Sequence, residues 1–188
     1  MRIVSGKYRG KKIIAPSHQG TRPTSDRTRE TIFNILLHNP AFGPEVLIDK
    51  VVLDVFAGTG ALGLEAFSRG AKSITFIENE RAALSILYDN VKAFGLPRIC
   101  VLEQDATHLR TRPVTPYDLI FLDPPYYKDL LSPTLTHLYA HGWIGKEAVV
   151  VIEIAKTEPF LLSPFLHLVT ERISGAAKIL FCSNINTK

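Results

Sequence analysis

The chain has 188 residues, 46% hydrophobic and 21% charged, with a net charge of +4. That is enough for one domain with a full sheet-and-helix core. No apolar run approaches the roughly 18 residues of a membrane span, and the charges in MRIVSGKYRG interrupt any signal-peptide core.

The charge is unevenly placed. Residues 1–30 carry eight basic side chains (Arg2, Lys7, Arg9, Lys11, Lys12, Arg22, Arg27 and Arg29) against Asp26 and Glu30, whereas the rest has a slight acidic excess. A basic head on a near-neutral body points to a polyanion, and nucleic acid is the expected partner. Within the head, RIVSG and KKIIA flank KYRG in the pattern of a short hairpin. The turn-rich PSHQGTRPTSD follows, and then a helix. Ser25 or Asp26 can cap that helix, and Ile32, Phe33, Leu36 and Leu37 give it an apolar face. Asn39-Pro40 and Gly43-Pro44 end it. A seam near residue 45 divides a basic, RNA-binding extension, 1–44, from a catalytic domain, 45–188.

After Lys50, strands and helices alternate. The strands read VVLDVF, SITFIE, ICVLEQD, YDLIFLD and AVVVIEIA. The helices read ALGLEAFSRG, RAALSILYDNVKAFG, a short ATHLR, and KDLLSPTLTHLYAHG. Near-continuous apolar strands separated by helices predict an α/β fold, a parallel sheet covered on both faces. FLHLVTERISGAAKILFCS adds two strand-like runs around Gly175, read as a terminal antiparallel hairpin. Ligands in such a sheet collect beyond the strands' carboxyl ends. There the sequence puts Asp54 to Gly60, Glu78, Asp105, and Asp123 to Tyr126. An acid at one strand end is an ordinary cap, but four at one edge beside a glycine loop make a cleft.

VLDVFAGTGALGLEA contains Gly58, Gly60 and Gly63 in G-x-G-x-x-G spacing, and Glu78 lies 20 residues beyond Gly58. This matches a dinucleotide fingerprint. Asp54, just before the loop, argues against a pyrophosphate, because like charges repel in a partly desolvated cleft. It suits an amine instead. S-adenosylmethionine has no phosphate and offers an ammonium group and a cationic sulfonium. Asp54 is expected to favour the ammonium, Glu78 the ribose hydroxyls and Asp105 the adenine amino group. Phe56, Ala57, Gly58, Thr59 and Gly60 form the loop, with Asn79 and Ala106 beside the acids. A glycine turn needed only for packing is the plain alternative.

YDLIFLDPPYY decides between cofactors. Two prolines after an apolar strand stop it and remove two backbone donors. They also stiffen the chain, so that the Asp123 carboxylate and the Pro124 carbonyl project together. Two acceptors side by side suit an exocyclic amino group on a base, whose lone pair is otherwise delocalised into the ring. Hydrogen bonds from both N–H groups favour the pyramidal, nucleophilic nitrogen and stabilise charge developing on it. Tyr126 is placed to stack on a base that has left its own stack. A capped turn with a core tyrosine is the bland reading.

DVFAGTGALGLEA and LDPPY together resemble the amino-group methyltransferases that use S-adenosylmethionine. Adding MRIVSGKYRGKKI and TRPTSDRTRETIFNIL narrows the resemblance to the bacterial 16S rRNA guanine-N2 methyltransferases, the small-subunit rRNA methyltransferase D type. It runs from residue 1 to about residue 155. It implies a seven-stranded, Rossmann-like methyltransferase sheet, modification of one guanine of small-subunit rRNA, and action on a ribosomal particle under assembly. The family's catalytic motif falls on Asp123, Pro124, Pro125 and Tyr126, and its cofactor positions on Asp54, Gly58, Gly60, Glu78 and Asp105. Its N-terminal signature falls on Arg22, Pro23, Thr24, Asp26, Arg27, Glu30, Phe33 and Asn34. The family's Tyr-Gly pair in the tail is replaced here by Ser174-Gly175.

Cys100 and Cys182 stand in no metal-binding spacing and read as buried, reduced thiols of a cytoplasmic protein. His137 and His141, four apart on a helix, lack a third ligand nearby, so no metal is expected. A monomer is expected. A DNA adenine-N6 methyltransferase, a nicotinamide-dependent dehydrogenase and a catalytically idle RNA-binding assembly factor are the rival readings.

Overall fold

The computed structural model describes residues 1–16, 25–43, 45–95 and 98–184. Its sheet has seven strands: β1 (Val51–Val55), β2 (Ser73–Glu78), β3 (Ile99–Glu103), β4 (Tyr117–Leu122), β5 (Ile144–Ala155), β6 (Leu166–Ser174) and β7 (Ala177–Asn184). Their order is β3-β2-β1-β4-β5-β7-β6. The first five run parallel, and β7 enters antiparallel between β5 and β6. The α/β sheet with a C-terminal antiparallel hairpin is therefore as the sequence implies.

Alternation along the strands builds two cores. Val52, Leu119, Phe121, Val149, Val151 and Phe181 face one side, where they meet α1 (Asp26–His38), α2 (Ala61–Ser68) and α3 (Arg81–Phe94). Leu53, Ile120, Leu122, Val150 and Ile152 face the other, against α4 (Leu131–Ala140) and Trp143. Burying each such side chain is worth about 1.5–3 kcal/mol.

The N-terminal segment is part of the first core. Ile3, Ile13, Ile32, Phe33 and Leu36 are all buried in it. Ser25 caps α1 by accepting from the Thr28 N–H at 3.0 Å. The Phe33 ring then packs 5.6 Å from that of Phe121 on β4. The Glu65 carboxylate, fully buried on α2, accepts the backbone N–H groups of Val4 and Ser5 and pairs with Arg69 at 2.8 Å.

Three local expectations change. ATHLR is a run of turns, because Asp105 binds the Thr107 N–H and hydroxyl and closes the chain before a helix can start. The basic hairpin is reduced to one bridge, Arg2↔Lys12, around the turn Gly6–Gly10. Cys100 is exposed on the edge strand β3, while only Cys182 is buried, and burial pushes that thiol up to about 12. Among the described residues, no helix is long and apolar enough to cross a membrane.

Candidate active site

β1 has β2 on one side and β4 on the other, so chain direction reverses its lateral progress there. A crevice opens beyond the carboxyl ends at such a switch point. The glycine loop leaves β1 at this place, and the Asp-Pro-Pro-Tyr turn leaves β4 beside it. The register pairs Asp54 with Phe121 and Val55 with Leu122, and the Asp123 N–H reaches the Val55 carbonyl at 3.5 Å.

The three glycines have different duties. A Cβ on Gly60 would lie 2.6 Å from a Leu87 methyl, and one on Gly63 would lie 2.5 Å from the Phe76 ring. Those two glycines let α2 pack on β2 and α3, with Gly60 at φ 77° as the helix cap. Gly58, at φ 54°, has open space where its Cβ would stand, with only the Phe56 carbonyl at 4.0 Å. It forms a backbone cradle facing outward. Phe56 is also left-handed, at φ 60°, and Ala57 is tied by its N–H to the Ile77 carbonyl. The carbonyl of Thr59 accepts from Asn90 Nδ2 at 2.9 Å. Asn90 is buried on α3 and also bonds Ile14 in both directions, so the N-terminal strap and the glycine loop share one latch.

The acids are tightly held. Asp54 is 2% exposed and accepts from the Gly63 N–H at 2.8 Å. Burial pushes its carboxyl well above the usual range; the Gly63 bond opposes this, and Asp123 and Glu78 raise it further. Glu78 accepts from Gly58 N–H at 2.8 Å with one oxygen, and from the Asn79 and Glu80 N–H groups with the other. The 20-residue spacing read from the sequence is thus a direct contact between Glu78 and the glycine loop. Asp105 is exposed at the end of the third strand, where its bonds from Thr107 hold its carboxyl below the usual range. Ala106, next to it, is buried.

On the Asp-Pro-Pro-Tyr turn, Pro124 is buried, Pro125 exposed, and Asp123 and Tyr126 half-buried. Sequence reasoning missed the next partner. Tyr126 donates its hydroxyl to Glu153 Oε1 at 2.9 Å. Leu122 pairs with Ile152, which puts Glu153 one step further on β5, beside Asp123 just past the end of β4. The signal was present, since Glu153 is the one acid in VVVIEIA.

The basic head is divided between two places. α2 runs back from the glycine loop, so Ser68 at its end lies at the opposite edge of the sheet. The Lys7 N–H bonds the Ser68 carbonyl at 2.7 Å, which takes Lys7 and Arg9 to that far edge. Lys11 donates to the Ala93 carbonyl and lies 4.4 Å over the Phe94 ring. Arg2, with Lys12 bridged to it, lies toward the α1 N-terminus, where exposed Arg27 also stands. Arg29 corrects the expectation: it is fully buried, bonded to Asp26 at 2.7 Å and to the Arg2 carbonyl, so it braces α1 and is out of reach of a polyanion. Arg22, Pro23 and Thr24 lie outside the described residues. The His137 and His141 rings stack at 4.0 Å. No cluster of three or more metal-ligating side chains occurs among the described residues.

The chain matches the family described as Conserved hypothetical protein 95 over residues 1–183. It is 39% identical over 153 residues to ribosomal RNA small subunit methyltransferase D of Escherichia coli, covering 81% of this chain and 74% of that protein. The chain belongs to this family. The family protein of the same name from Haemophilus influenzae is 31% identical over 179 residues, covering 93% of this chain and 89% of its own. A solved structure, the putative methyltransferase yhhF from Escherichia coli, superposes with a TM-score of 0.83 at 35% identity, covering 98% of each chain. The fold is therefore that of a methyltransferase family, and the crevice described above is its candidate active site.

Proposed function

We propose that the protein transfers a methyl group from S-adenosylmethionine to the exocyclic N2 amino group of a guanine in 16S rRNA of the small ribosomal subunit. The observation that carries this reading is the Asp123-Pro124-Pro125-Tyr126 turn beside the Gly58 cradle, with Tyr126 anchored on Glu153. The names of the family's members, which act on small-subunit rRNA, support the acceptor class.

The residues fit the cofactor. The open face at Gly58 admits a ligand against the backbone. Asp54, its carboxyl raised by burial, gains most from a neighbouring cation, which the methionine ammonium provides. Phe56, Ala57, Thr59 and Gly60 complete that wall, Glu78 and Asn79 would hold the ribose, and Asp105 and Ala106 the adenine. When bound, the cofactor supplies a methyl group on a cationic sulfur.

The chain's own groups do the rest. The Asp123 carboxylate and the Pro124 carbonyl accept the two N–H groups of the guanine N2, which keeps the nitrogen lone pair out of the ring and directed at the methyl carbon. They also stabilise positive charge as it develops on nitrogen, and Asp123 is the group beside which the departing proton leaves. Tyr126, its hydroxyl fixed, presents its ring to the extruded base. Alignment of nitrogen, carbon and sulfur supplies the remainder. Arg2, Lys12 and Arg27, at the α1 N-terminus, serve rRNA phosphates, and Lys7 and Arg9 serve them from the far edge.

The test is transfer of labelled methyl from S-adenosylmethionine to small subunits lacking the modification, with the label mapped to its nucleotide. Label on guanine N2 of 16S rRNA is expected, and Asp123→Ala should lower kcat by at least about a hundredfold while the cofactor still binds. Label on adenine, on DNA alone or nowhere overturns the reading.

A further inference from the structure

The residue after the catalytic turn has no part in methyl transfer, yet it is built with care. Tyr127 is 60% exposed and left-handed at φ 57°, a conformation that costs a non-glycine residue energy and needs outside support. The support comes from the segment after β5. The Tyr127 N–H donates to Glu158 Oε1 at 2.8 Å, and the Tyr127 hydroxyl lies 2.8 Å from Thr157 Oγ1. Backbone and ring tip are both fastened, while the ring stays in solvent.

It does not stand alone. Leu161 is 88% exposed, and Pro125 and Pro159 are exposed beside it. The two prolines and Leu161 line, with Asp129 and Glu158, a shallow cavity of about 110 Å³ on the same loops. Lys128 and Lys156, both exposed, adjoin Tyr127 and Thr157 in the chain. A rigid aromatic face beside exposed apolar side chains is what a stacking base requires.

Orientation identifies which base. The Tyr126 and Tyr127 rings lie 6.5 Å apart with planes at 85°. Bases lying flat on these two rings are turned by about a right angle from each other, so they cannot stack together. An extruded nucleotide likewise no longer stacks on its neighbour in the strand. We propose that Tyr127 is a stacking platform for the nucleobase adjacent to the target guanine, holding the single-stranded RNA splayed at the catalytic turn. The fixed hydroxyl and N–H keep this platform perpendicular to Tyr126. The proposal rests on the RNA-modifying reading above and adds to it a second base site.

The experiment uses the full chain and short single-stranded oligoribonucleotides with one guanine, each flanking nucleotide being intact or abasic in turn. Binding is read by fluorescence anisotropy, with thermal melts to confirm that the variants fold. Tyr127→Ala is expected to weaken binding about tenfold. Removing one flanking base should weaken the unmodified protein similarly, and Tyr127→Ala should then be indifferent to that removal. Tyr127→Phe keeps the ring and should retain most of the affinity. The proposal falls if Tyr127→Ala binds like the unmodified protein, if the two losses multiply, or if neither protein binds the oligonucleotide. If the losses fail to multiply while small subunits acquire no label on guanine, the platform stands and the methyl-acceptor assignment alone falls.

Discussion

At the scale of single residues, Asp54 and Glu153 carry the sharpest consequences. Burial raises the Asp54 carboxyl in the folded chain above the ordinary 3.8. Between that value and the raised one, the native state holds a proton that the unfolded state has released. Stability therefore falls as pH rises through that window. Asp54→Asn removes the titration and keeps an amide oxygen for the Gly63 N–H. Its melting temperature should exceed that of the unmodified protein at neutral pH, with the gap closing toward pH 4, while S-adenosylmethionine affinity drops. Melts across pH, paired with calorimetric titration of the cofactor, measure both; a gap that widened on acidification would have the wrong sign. Glu153 acts through the Tyr126 hydroxyl at 2.9 Å. Glu153→Gln retains an acceptor and should keep most of kcat. Glu153→Leu should lose about tenfold, the worth of one such bond, and combining it with Tyr126→Phe should cost little more. Additive losses in that cycle, read as kcat at saturating RNA, would separate Glu153 from Tyr126.

At the scale of elements, legibility followed how local the cause was. The five parallel strands were readable because each is a short apolar run bounded by turn residues, and the C-terminal acids of the first four mark one edge by topology alone. The capping of α1 by Ser25 was readable for the same reason. ATHLR was misread because its apolar spacing suits a helix, whereas Asp105 and Thr107 settle the backbone into a turn. The glycine loop was readable as a loop, but its division of labour was not. That Gly60 and Gly63 serve packing and Gly58 faces open space depends on Leu87, Phe76 and Ile74 from other elements. For Arg29 the sequence gives charge and not depth; only the fold shows Asp26 and the Arg2 carbonyl closing over it. Asn90 and Glu153 escaped notice because their partners lie far away in the chain.

At the scale of the whole molecule, the seam near residue 45 marks a change in sequence rhythm within one core. Ile3, Ile13, Ile32, Phe33 and Leu36 are buried in the same cluster as Leu119, Phe121, Val149, Val151 and Phe181 of the sheet. Five such side chains contribute on the order of 10 kcal/mol of gross burial, comparable to the entire net stability of a domain this size. The strap also answers buried charge. Without Val4 and Ser5, the buried Glu65 carboxylate loses two N–H donors. The β6–β7 turn is drawn in as well, since the Ser174 hydroxyl lies 3.2 Å from that of Thr28 on α1. A chain beginning at residue 45 would uncover a contiguous apolar face of β4, β5 and β7. The full chain should therefore melt in one cooperative transition. The 45–188 fragment should lack native near-ultraviolet circular dichroism and bind a hydrophobic dye strongly. A fragment that melted cooperatively with native aromatic signals would make residues 1–44 a separable domain. Sharing the first core makes the basic head a structural condition for the strand edge that carries the candidate site, so substitutions that loosen it should lower methyl transfer and stability together.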